Sequence, residues 1–105
     1  MTKRTLAQIQ WIKPESGGRK KPPDGPSYSA VARFARQGSD WTKNAWSLVL
    51  EFVSAPDAEL HQLARVRFLA TEGPTAWLVV GEKFELLEGP RVVATGIIIP
   101  DKTKK

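Results

Sequence analysis

The chain has 105 residues, enough for one domain with one core and too few for two. Its 41% hydrophobic and 26% charged content argues against disorder, and no apolar run approaches the ~20 residues of a membrane span. The absence of cysteine excludes disulfides and thiolate chemistry, and the formal charge of +5 invites an anionic partner.

In chain order the sequence predicts strands almost throughout. In Thr5 to Lys13, Ala7, Ile9 and Trp11 share one side and Gln8 and Gln10 the other. Glu15 to Pro26 then form a loop with three Gly, three Pro and the cations Arg19, Lys20 and Lys21. Gly17 and Gly18 allow sharp turns or close approach of a partner, and the loop holds no apolar side chain to anchor it in a core. Tyr28, Ala30, Ala32 and Phe34 alternate with Ser29, Val31, Arg33 and Ala35. Trp46, Leu48, Leu50 and Phe52 alternate with Ser47, Val49, Glu51 and Val53. Ala55-Pro56-Asp57 breaks that run, and Asp57 is placed to cap a short helical turn over Ala58 to Leu63. Arg65 to Ala70 alternates again, Val66 and Phe68 inward. Trp77 to Val80, Lys83 to Leu87 and Arg91 to Ile99 complete the strands, with Glu88-Gly89-Pro90 as a tight connection.

Short strands joined by Gly and Pro turns predict an all-β domain spanning 1–105, with short basic tails at 1–4 and 101–105. Closure into a small barrel removes exposed edges. Trp11, Phe34, Trp46, Leu48, Leu50, Phe52, Phe68 and Phe84 are the expected interior. Five cations in the tails (Lys3, Arg4, Lys102, Lys104, Lys105) account for the whole charge surplus. With no secretion signal behind Met1-Thr2-Lys3-Arg4, a cytoplasmic protein is expected.

No catalytic residues, metal ligands or cofactor are expected. His61 is the only histidine and falls in the turn Glu59-Leu60-His61-Gln62. Glu82 and Glu85, like Glu85 and Glu88, are three apart, which on a strand sends them to opposite faces. The loop glycines lack the Gly-Lys-Ser/Thr pattern that cradles a triphosphate. Among the tryptophans, Trp11 and Trp46 occupy inward strand positions. Trp41 lies outside any strand beside Lys43, either an exposed stacking surface or a plug over a barrel end.

Two segments resemble the third domain of bacterial elongation factor Tu. At the start these are Gln10-Trp11-Ile12-Lys13, Glu15, Gly17-Gly18-Arg19, Lys20 to Pro23, Gly25 and Tyr28 to Arg33. At the end Lys83-Phe84, Glu88-Gly89-Pro90-Arg91-Val92 and Gly96-Ile97-Ile98 are similar to that domain's closing pattern, with Pro90 where the family has a second Gly. The resemblance implies a six-stranded antiparallel barrel without the family's GTPase domain or second barrel, hence no GTP binding. It also implies contact with tRNA or other RNA, or with a protein of the translation apparatus. The implied binding residues are Gly17, Gly18, Arg19, Lys20, Lys21, Glu88, Gly89 and Arg91. The sequence thus leads to a non-catalytic RNA-binding module, with a protein-interaction module that mimics or competes with the elongation factor's barrel as the alternative.

Overall fold

In strand β1 (Thr5–Trp11) the buried residues are Thr5, Ala7, Ile9 and Trp11, the odd positions that alternation selects. The same period-two logic gives β2 (Ser27–Phe34), β3 (Trp46–Phe52), β4 (His61–Phe68), β5 (Lys83–Glu88) and β6 (Arg91–Ile98). The computed structural model describes residues 5–101; the cations expected to form basic tails lie outside the described residues. The six strands close in the order β1-β4-β3-β2-β5-β6, every pair antiparallel, with β6 returning to β1. The protein is therefore an all-β, closed six-stranded antiparallel barrel. No helix among the described residues is long and apolar enough to cross a membrane.

The interior holds Ile9, Trp11, Phe34, Leu48, Leu50, Val66, Phe68, Phe84, Leu86 and Ile98, all nearly or fully buried. Trp46 and Phe52 were expected with them but are only partly buried, because each stands at a strand end and packs against the core from a barrel mouth. Where β5 meets β6 the register shifts between Leu86 and Leu87, and Val93 and Ala94 are both buried, the signature of a β-bulge. Glu85 faces outward to Arg33 and Glu88 turns to the mouth, so the two carboxylates diverge as their spacing requires.

Two expectations are corrected. Residues 58–63 form no helical turn, since Asp57 Oδ1 accepts the N–H groups of Glu59 (2.9 Å) and His61 (2.8 Å) and directs the chain straight into β4. Trp77 to Val80 is not a strand: a 3-10 turn spans Thr75–Trp77, and the N–H groups of Leu78 and Val79 go to the Thr75 (3.0 Å) and Trp77 (2.9 Å) carbonyls within the segment. Ala35–Asn44, which the sequence leaves unassigned apart from placing Trp41 outside any strand, forms two short 3-10 turns joined at Gly38, whose φ of 56° breaks them apart.

The strand order sets the loops. β1 and β2 are separated by β4 and β3, so residues 12–26 must cross one mouth of the barrel. β4 and β5 are separated by β3 and β2, so residues 69–82 cross the other.

Candidate nucleic-acid interface

The 12–26 connection is fixed by backbone fit. A 3-10 turn at Pro14–Ser16 ends on Gly17 at φ 95°, a conformation closed to most side chains. Gly18 donates its N–H to the Lys13 carbonyl (3.0 Å), and a Cβ there would sit 1.9 Å from the Ile12 carbonyl oxygen. The Gly-Gly pair thus shapes the loop, which explains how a segment without apolar anchors is held.

Arg19 follows directly and makes the principal side-chain contact of the loop. Its guanidinium forms an ion pair with Glu88, lies 5.4 Å from the Tyr28 ring centroid, and donates from Nε to the Lys21 carbonyl (3.1 Å). The Tyr28 hydroxyl donates to the same Glu88 carboxylate at 2.6 Å. Burial, then the Glu88 acceptor, raises the Tyr28 pKa above its ordinary value. The Tyr28 hydrogen bond, with Arg19 beside it, holds the Glu88 carboxyl below its ordinary value. Tyr28 stands edge-on to Trp11 at 5.6 Å, and the Trp11 indole N–H donates to Gln62 Oε1 at 2.9 Å, so the latch rests on a packed aromatic base.

The turn after β5 completes the surface. Gly89 has φ 62°, the positive value that the first position of a two-residue primed hairpin loop demands, and Pro90 supplies a fixed negative φ. Arg91, exposed, lies 3.8 Å from Glu88. The structure thus brings Gly18, Arg19, Glu88 and Arg91 together across one mouth. Gly17 and Gly89 are exposed and set the backbone. Lys21 pairs with Asp24 at 3.1 Å, both largely exposed, whereas Lys20 and Lys13 make no ion pair among the described residues.

Sequence reasoning missed Lys13, Leu60 and the roles of Tyr28 and Gln62. Tyr28 occupies an inward-facing position at a strand start, a pattern that puts a phenol at the mouth; nothing local marks Leu60, which adopts φ 68° in the 57–61 turn. Trp41 is the opposite case. It neither plugs the barrel nor stands free, but lies under the Arg33 guanidinium at 5.3 Å. The plug is Trp77 with Leu78, at the far mouth. His61 is half-exposed with Nδ1 3.5 Å from Asp57, and with Glu59 their ligand atoms lie within 4.8 Å of one another. Asp57 there already accepts two backbone N–H groups and serves as the turn former.

A comparison with protein-family models and with curated proteins finds no match.

Proposed function

We propose that this barrel is a non-catalytic RNA-binding module that grips phosphates across the 12–26 connection and the 88–91 turn. The observation that carries this reading is the Arg19–Glu88 ion pair, which fuses two segments far apart in sequence into one surface bordered by Lys13, Lys20, Lys21 and Arg91. The resemblance of these same segments to the third domain of elongation factor Tu supports tRNA-like RNA as the partner, in the cytoplasm and without GTP. Phosphate contacts from exposed lysines require no catalytic group and carry a salt signature.

The test is binding of tRNA at several salt concentrations by the wild type and by a Lys20→Ala/Lys21→Ala variant. Two lost contacts should reduce the log–log salt slope by about 1.4 on single-stranded segments and weaken binding at every salt concentration. Unchanged affinity and slope would remove the loop from the interface. A protein-interaction module is the second reading, favoured by exposed Leu69, Val79 and Val80 at the opposite mouth. Nuclease-insensitive recovery of a translation protein, together with no RNA affinity, would put that reading first.

A further inference from the structure

We propose that a crevice beneath the 12–26 connection receives one unpaired nucleobase, while Lys20 and Lys21 hold the phosphates on either side of it. This rests on the RNA reading above and adds a site for the base, which a phosphate grip alone does not need.

The crevice has a volume of about 180 Å³. Pockets for drug-sized ligands run ~300–1,000 Å³, so this one has room for a single flat ring system. Its walls are apolar: Trp11, Ile12, Pro14, Pro22 and Leu60. Its rim is cationic: Arg19, Lys20 and Lys21. The three cations are not equivalent. Arg19 is committed to Glu88 and forms a fixed side. Lys20 has no ion-pair partner among the described residues, and the Lys21–Asp24 pair is so exposed that exchanging Asp24 for a phosphate costs little.

That combination selects among ligands. Inorganic phosphate uses the rim and leaves the apolar walls idle. A paired helix presents phosphates but keeps its base faces stacked inside. An unpaired nucleotide offers both an apolar ring and flanking phosphates, which is how single strands are usually recognised.

The walls are also preset. Leu60 is the only non-glycine residue with positive φ among the described residues, a conformation that costs a branched side chain. It is held there because the Leu60 N–H donates to the Asp57 carbonyl (3.0 Å), while the Leu60 carbonyl accepts the backbone N–H of Trp11 (2.9 Å). Opposite it, Gly18 and the Pro22-Pro23 pair restrict the loop. A site that is rigid before binding has little left to order.

The experiment compares three probes at one salt concentration by fluorescence anisotropy: a short oligouridylate, a blunt RNA duplex of equal length, and an abasic strand with the same number of phosphates. Oligouridylate should bind about tenfold more tightly than the abasic strand, the scale set by stacking of one base. The duplex should group with the abasic strand. Pro22→Trp, which fills the crevice, should abolish the tenfold advantage and leave the other two affinities unchanged, whereas Lys20→Glu should weaken all three. Should Pro22→Trp fail to fold, Leu60→Gly, which removes a wall at a backbone position glycine prefers, should abolish most of the same advantage. Equal binding of oligouridylate and abasic strand by the wild type overturns the crevice while leaving the RNA reading intact. An advantage that survives the crevice variant places the base elsewhere and also overturns it. No binding of any probe overturns the RNA reading and the crevice together.

Discussion

Two connections of nearly equal length, 12–26 and 69–82, cross opposite mouths of the same barrel, and they close them by different physics. The 69–82 segment carries Trp77 and Leu78 into the interior: Leu78 is 1% exposed and the Trp77 ring packs 5.4 Å from Phe34. Burial of such a leucine is worth ~1.5–3 kcal/mol, so this mouth is sealed by the hydrophobic effect. The 12–26 segment has no apolar side chain beyond Ile12 except its prolines. It holds four cations against two carboxylates, whereas 69–82 holds two carboxylates and no cation. It is fixed by a glycine pressed on Ile12 and by one ion pair to Glu88. A mouth closed by side chains has spent them on the core. A mouth closed by backbone fit leaves Lys13 and Lys20 exposed at its surface.

The largest expected effect tests that division directly. Phe34→Ala removes a ring that touches Phe68, Trp77 and Phe84 and should lower stability by about 3–5 kcal/mol. Trp46→Ala, at a partly buried position of the same mouth, should cost less. Lys20→Ala, across the barrel, should change stability by no more than about 0.5 kcal/mol. Denaturant midpoints at constant slope measure all three. A Lys20→Ala loss near that of Phe34→Ala would make the basic connection part of the core and end the contrast.

Gly18→Ala sharpens it at the other mouth. The added methyl would stand 1.9 Å from the Ile12 carbonyl oxygen, a rigid backbone atom, so the connection must move. The expected loss is about 1–3 kcal/mol, the cost of overpacking a tight contact. Amide shifts in 12–26 should accompany it, with those of 69–82 unchanged. Shifts reaching both connections would show the mouths to be mechanically coupled.

The barrel itself was legible because period-two alternation names most of the buried residues of β1, β2 and β3 and of the second half of β4, and turn residues mark where strands end. Legibility failed where a tertiary contact overrode local pattern. The apolar run Trp77 to Val80 reads as a strand, yet its place in the chain, crossing a mouth, makes it a plug. Alternation around Trp46 and Phe52 is regular, but it cannot say that a strand end is half outside. At the candidate site, Arg19, Glu88 and Arg91 stand out in the sequence as turn residues, whereas their convergence depends on the strand order, which no local spacing encodes. Leu60 was invisible because its left-handed backbone comes from hydrogen bonds to Asp57 and Trp11.

Next in size is the latch. Arg19 and Glu88 are each close to 30% exposed, so a double-mutant cycle with Arg19→Ala and Glu88→Gln should give a coupling of only about 0.5–1 kcal/mol. Its pH dependence has a definite sign. The Glu88 pKa is lower in the folded state, so the contribution is fully present above the unfolded carboxylate value and is lost as pH falls through the folded one. A coupling that persists unchanged well below the ordinary carboxylate range would mean that the guanidinium is held by Tyr28 and not by charge.

The smallest effect at working pH belongs to Tyr28, and it is the most direct report on how closed this mouth is. Tyr28 is the sole tyrosine, so tyrosinate absorbance during an alkaline titration reads this one group. Burial and the Glu88 acceptor raise its folded pKa above the ordinary value of about 10. The folded chain then holds a proton that the unfolded chain releases. Its contribution to stability is complete below about pH 10 and declines as pH rises toward the folded pKa. Glu88→Gln removes the charged acceptor, so the midpoint should fall but stay above the ordinary value, because burial is the larger cause. A wild-type midpoint at the ordinary value, unmoved by Glu88→Gln, would mean that water reaches the phenol and that the 12–26 connection does not close the mouth.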